Sequence, residues 1–184
     1  MLSKYGHVSI YEPHLITRNY LKKKFNSKKY SIIQKYTHKK FDLILLADVL
    51  EHIKNDKKII KTLSKSLKNN GYILITVPSY NLLFSKKDLI LGHYRRYSKK
   101  EIVNLFASLK TIKLTFFNFI LFLPIASIIL FLKLFKVDFI EKVEKSPNRI
   151  TNFVLLKIFI IESKFINYFD LPFGISMLGL FQKK

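Results

Sequence analysis

The chain has 184 residues, 49% of them hydrophobic, with a net charge of +21 and no cysteine. That length suits one domain with a substantial core, the apolar content excludes a disordered polymer, and the missing thiols exclude disulfides, thiolate metal sites and a cysteine nucleophile. The positive charge is nearly all lysine, which suits anionic partners such as lipid headgroups, nucleic acid or phosphorylated substrates; lysines scattered on solvated helix faces would need no ligand.

The first seven residues lack the apolar core of a signal peptide. Val8 to Tyr11 reads as a strand tip closed by Glu12-Pro13, and a lysine-rich helix with Leu15, Leu21 and Phe25 follows. Ser31 to Ile33 reads as a second short strand. Phe41 to Leu46 is almost continuously apolar, as expected of a strand buried on both faces of a parallel sheet. Asn55 or Asp56 can cap a helix whose Ile59, Ile60, Leu63 and Leu67 share one face, with a stop at Asn69-Asn70-Gly71. Tyr72 to Val77 is a second buried strand, closed by Pro78. Ser98 and Glu101 form a capping-box pattern ahead of an amphipathic helix, and Thr111 to Phe117 reads as a strand. Beyond it lie an apolar region to Phe135, a charged stretch to Lys145, Pro147, and an apolar segment from Ile150 to Phe165. A turn at Leu171-Pro-Phe-Gly174 precedes a last strand, Ile175 to Phe181. Strands alternating with helices imply an α/β domain with a mainly parallel sheet.

In an open α/β sheet, ligands bind beyond the carboxyl ends of the strands. Three positions qualify: Glu12, Asp48 with Glu51-His52, and Pro78-Ser79-Tyr80. An acid closing a strand can accept hydrogen bonds from ribose hydroxyls, and it can as well cap the helix that follows. Asp48, Glu51 and His52 also invite a metal reading. Adjacent Glu51 and His52 do not easily face one ion together with Asp48, so they are expected to brace the loop or cap a helix, and no metal is expected.

The run Phe41 to Ile53 (FDLILLADVLEHI), then a helix, then Leu67 to Pro78, resembles the fourth and fifth strand region of class I S-adenosylmethionine (SAM)-dependent methyltransferases. Ser79 to Glu101, with its DLILGHYRRYS, and the tail Leu171 to Ser176 resemble a bacterial branch of that superfamily. Genes of that branch often lie among those for surface-glycan and lipid-linked sugar assembly. The resemblance implies an α/β fold with a Rossmann-like sheet and SAM as cofactor. It implies a cofactor set of Glu12 at the ribose and Asp48 and Leu50 near the methionine and sulfonium end. It places Asp88, His93, Arg95, Arg96 and Tyr97 on the acceptor side. Methyl transfer is an in-line displacement, so alignment and water exclusion dominate. A base is needed only for a protonated acceptor, and His93 is preferred to His52 for that task. Arg95 and Arg96 could grip a phosphate or carboxylate; alternatively, Arg95 pairs with Asp88 to brace the loop while Tyr97 packs.

The family places its first strand and a Gly-x-Gly loop just ahead of the segment that opens this chain. The five glycines here, Gly6, Gly71, Gly92, Gly174 and Gly179, form no such loop. The expectation is a methyltransferase domain truncated before its glycine-rich loop, with weak affinity for SAM. The family's acid after the third strand has no counterpart either, with Gln34 or Lys35 near that point.

Leu114 to Leu132 carries no charge over nineteen residues, near the ~20 needed to span a bilayer. A return span through Ile150 to Phe165 would have to bury Lys157 and Glu162. The expected arrangement is therefore residues 1–118 plus 171–184 as the methyltransferase domain, with 119–170 as an apolar helical hairpin inserted before the last strand and lying in the interface of an anionic membrane. The implied acceptor is a small or lipid-linked molecule, met at the cytoplasmic face. A non-catalytic membrane module docking onto a glycan-assembly enzyme is the alternative. Nucleic acid is not expected as a partner, since only the charge suggests it.

Overall fold

The computed structural model describes residues 2–25, 29–34, 39–136 and 148–184. They fall into two compact units, 1–39 and 40–184. Lys35, the charged stretch 137–145 and Pro147 lie outside the described residues or run beyond them.

The first unit is one strand–helix–strand element. Strands β1 (Val8–Tyr11) and β2 (Tyr30–Ile33) pair in parallel, from Val8 against Tyr30 to Tyr11 against Ile33. Helix α1 (Leu15–Lys24) makes the crossover that parallel pairing requires, and it ends in three lysines that complement the negative end of its dipole.

The second unit contains the remaining described elements. Its sheet runs β3 (Phe41–Ala47), β4 (Leu67–Pro78), β6 (Ser176–Gln182), β5 (Lys110–Phe117) in spatial order. β3 and β4 are parallel, joined by helix α2 (Asp56–Lys65), whereas β6 runs antiparallel to both neighbours. The last strand of the sequence therefore inserts between β4 and β5. Ile73, Ile75 and Val77 on alternate positions of β4 join Ile60 and Leu63 of α2 and Ile102 of helix α4 (Lys99–Leu105) in one core. The rings of Phe106 and Phe181 stack there at 4.1 Å with 9° between their planes.

Two elements differ from the sequence reading. β3 is buried on one side only: Leu46 is buried while Leu43 and Leu45 are 47% and 43% exposed. It is the edge strand of the second unit's sheet, and an apolar run alone does not tell whether one or both faces of a strand are covered. Helix α2 stops at Lys65, short of Asn69-Asn70-Gly71. The Phe41 N–H bonds the Ser66 carbonyl at 2.9 Å and Leu67 is fully buried, so the chain is already drawn into the sheet. The left-handed Asn70 (φ 60°) then bends the start of β4 instead of capping the helix.

Beyond β5, helix α5 (Phe122–Leu134) rests on the turn after β4, where Lys133 Nζ donates to the Leu82 carbonyl at 2.6 Å. Helix α6 (Arg149–Tyr168) rests on β5. Its Glu162 is buried, and both carboxylate oxygens accept from the Phe119 N–H at 3.1 Å. No described helix is long and apolar enough to cross a membrane. Gly174 closes the return to β6: a Cβ there would lie 2.2 Å from the Phe117 carbonyl oxygen, so no other residue fits without moving backbone.

Candidate active site

The parallel pair β3–β4 ends at one edge of the sheet, and the chemistry-bearing residues of the second unit gather there. Asp48 follows β3 in a left-handed conformation (φ 51°), its side chain exposed. Its Oδ1 accepts from the Thr76 hydroxyl at 3.1 Å, which ties the end of β3 to β4. A single 3-10 turn, Leu50 to His52, comes next. Leu50 is fully buried in the core, Glu51 is 1% exposed, and His52 faces solvent. The apolar anchor thus dictates how the two polar neighbours point.

Beyond β4, helix α3 (Lys86–Ile90) begins with Asp88 folded back onto the Ser85 N–H (2.8 Å) and hydroxyl (3.1 Å). The Arg96 guanidinium donates to both oxygens of this carboxylate, at 2.9 and 3.1 Å, and both side chains are buried. His93 Nδ1 lies 3.0 Å from Asp88 Oδ1, the oxygen that also accepts from Arg96 Nε. Burial alone would raise the Asp88 carboxyl, but the bonds from Arg96 and Ser85 outweigh it and hold the group below the usual carboxylate range.

Arg95 pairs instead with Asp56, at 2.9 Å, and also donates to the Lys54 carbonyl at 2.7 Å. The Tyr97 hydroxyl lies between the Leu50 carbonyl (3.1 Å) and Asp56 (3.0 Å). Burial, reinforced by Asp56, pushes that phenol well above its ordinary range, so Tyr97 is a neutral brace. Of the two alternatives for the arginines, the loop-bracing one describes the geometry, with Arg96 rather than Arg95 on Asp88.

The structure gathers the five residues into two networks: Asp88 with His93 and Arg96, and, separately, Asp56 with Arg95 and Tyr97 in a network beside the turn at Leu50. Leu50 contributes a backbone carbonyl to that network, while its side chain packs in the core. Glu12 belongs to the first unit. It follows β1 as expected, and its Oε1 accepts from the His14 N–H at 2.8 Å. Sequence reasoning missed Asp56 as the counter-ion of Arg95, and it missed the state of Glu51. Burial raises the Glu51 carboxyl to about 7, and its Oε2 has no hydrogen-bond partner among the described residues. Glu51, His52 and His93 also place a ligand atom each within 4.8 Å of one another. The Glu51-His52 pair was visible in the sequence; only the fold of the loop beyond β4 returns His93 to it.

In an open α/β sheet the ends of the parallel strands, where these polar residues gather, are the place of a ligand site. Residues 5–116 match the model of the methyltransferase domain family, and the chain belongs to that family. No curated protein matches it. Among solved structures it is similar to the N-methyltransferase NodS from Bradyrhizobium japonicum (12% identity, 96% of this chain and 73% of that one, TM-score 0.52). It is likewise similar to a protein described as a sarcosine dimethylglycine methyltransferase from Galdieria sulphuraria (13% identity, 97% and 70%, TM-score 0.57). A third is described as a methyltransferase from Bacillus halodurans (12% identity, 96% and 83%, TM-score 0.57). The fold is that of class I SAM-dependent methyltransferases, and SAM is the cofactor of the family. Each unit taken by itself offers one acceptor: the exposed Asp48 carboxylate at the end of β3 is of a kind suited to an amine, and the Glu12 carboxylate beyond β1 of a kind suited to ribose hydroxyls.

Proposed function

We propose that this methyltransferase acts on a lipid-linked or membrane-proximal acceptor, with the enzyme lying on an anionic membrane surface. The single observation that carries the reading is the apolar coat of α5 and α6. Leu123, Ile128, Phe131 and Leu134 on α5 are exposed, as are Phe153, Val154, Phe159 and Phe165 on α6. Patches of this extent mark protein or membrane contact surfaces. Two features favour lipid. Lys157 sits among the apolar side chains of α6, as in helices that lie in a headgroup layer. The net charge of +21 also draws the chain to anionic lipid. Helix α5 touches the turn after β4, and Tyr80 in that turn packs on Phe122 at 5.5 Å between ring centroids. The apolar surface thus adjoins the strand ends where an acceptor would enter.

SAM supplies an activated methyl group on a sulfonium when bound. Glu12 would hold its ribose, and Asp48 its methionine end. The Asp88–Arg96 pair fixes the loop that carries His93, with the imidazole on the acceptor side. Alignment of the methyl donor with its acceptor would draw on that fixed loop.

Vesicle flotation with labelled SAM tests this. The chain should float with vesicles rich in phosphatidylglycerol and much less with neutral ones. Replacing Phe131 and Phe159 by Asp should lower partitioning at least ~10-fold, since each buried Phe contributes ~1.5–3 kcal/mol. The floated protein should retain SAM weakly but saturably, and Glu12→Ala should lose it. Failure to float would remove the membrane acceptor. Flotation without SAM retention would leave a non-catalytic membrane module.

A further inference from the structure

We propose that the groove between α2 and α4 binds an anion carrying two or more phosphates along its length, of the kind found in nucleoside diphosphates and lipid diphosphates. The groove has a volume of about 990 Å³, which suits a small organic molecule and far exceeds what a single ion fills.

Its lining is basic. Lys57, Lys61 and Lys65 come from α2, and Lys183 and Lys184 from the residues after β6. Among the described residues two carboxylates line the groove, Asp56 and Glu101, and both are engaged within the fold. Asp56 accepts from Arg95 at 2.9 Å and from the Tyr97 hydroxyl at 3.0 Å, while Glu101 accepts from the Ser98 N–H at 2.7 Å. No ion pair among the described residues engages the three lysines of α2. The groove thus sets five lysines against one carboxylate, Glu101, that no described cation already holds.

The spacing of the α2 lysines is the second observation. Positions four apart share one helix face and stand ~6 Å from one another along the axis, so the row extends ~12 Å. Like charges at that spacing repel, and Lys57 stands in the first turn, where the helix dipole opposes a cation. The row therefore costs α2 stability, and the core contacts of Ile60 and Leu63 do not require it. A phosphate carries up to ~2 negative charges and three acceptor oxygens, so a molecule with several of them along its length relieves the repulsion at each lysine. A single small anion would leave most of the row uncompensated.

The rest of the lining suits the body of such a molecule. Leu105 is half-buried in the groove, and Asn104 and Ser108 bring an amide and a hydroxyl that can donate.

The experiment is calorimetric titration of the full chain with inorganic tripolyphosphate, in about 0.15 M salt to screen diffuse attraction, with ADP and farnesyl diphosphate as parallel arms. The expected result is one saturable equivalent. A hydrogen bond to a charged group changes affinity ~10-fold or more, so the combined variant Lys57→Gln, Lys61→Gln, Lys65→Gln should bind at least ~10-fold more weakly. The combined variant Lys22→Gln, Lys23→Gln, Lys24→Gln removes the same charge from α1 in the first unit and should bind within ~2-fold of the unmodified chain. All six lysines are exposed, so both variants should fold, as circular dichroism would verify. Tighter binding of ADP than of tripolyphosphate would identify a nucleotide ligand, tighter binding of farnesyl diphosphate a lipid one, and equal affinities a groove that reads phosphates alone; each supports the site. No binding, non-saturable binding, or equal weakening in the two variants would overturn it. None of these readouts uses SAM or a membrane, so failure here leaves the methyltransferase reading untouched.

Discussion

Asp88→Asn keeps the shape of the side chain and removes one charge from the centre of the network. In the native chain both Asp88 oxygens accept from Arg96, at 2.9 and 3.1 Å, and one also accepts two bonds from Ser85. An asparagine amide offers one acceptor oxygen and turns its NH2 toward donors. Arg96, with 10% of its side chain exposed, would keep a buried charge without its counter-ion. Breaking a buried pair this way costs ~3–5 kcal/mol. For a chain of this length each kcal/mol lowers Tm by ~2–4 °C, so the melting point should fall by roughly 6–20 °C. Thermal melts by circular dichroism measure it, with Lys68→Ala as the surface comparison: Lys68 and Asp42 pair at 2.9 Å but are 52% and 82% exposed, and such pairs contribute ~0–1 kcal/mol. Equal melting points for the two variants would refute the claim that this pair holds the loop.

Two further perturbations probe the frame. Gly174→Ala would press a methyl group to 2.2 Å from the Phe117 carbonyl oxygen, so it should destabilise the joint between β5 and β6 by ~1–3 kcal/mol in urea titration; an unchanged midpoint would contradict the close approach. Glu162→Ala removes the acceptor of the Phe119 N–H and should free α6 from the sheet, at a cost of ~1–3 kcal/mol. Faster amide exchange at Phe119 and along α6 is the readout, and unchanged protection there would show that α6 is held by other contacts.

The sequence by itself determined the elements whose signals are local. The capping box is one: the Glu101 carboxylate accepts from the Ser98 N–H at 2.7 Å, and the Ser98 hydroxyl accepts from the Glu101 N–H at 3.2 Å. The apolar strands, the turn at Gly174 and the strand-end acid Glu12 are others, because each depends on residues a few positions apart. The motif around Asp48 and His93 also identified the family from side chains alone. Tertiary structure decided whatever depends on which distant groups meet. Arg95 and Arg96 are adjacent, yet one turns to Asp56 and the other to Asp88, a choice that spacing cannot make. An apolar strand reads the same whether one or both of its faces are covered, so only the packing of the fold left Leu43 and Leu45 open. Glu51 and His52 look like a loop brace in the sequence. Burial of Leu50 beside them turns Glu51 inward, with its Oε2 unpartnered among the described residues, and the anchored loop beyond β4 brings His93 back to meet it.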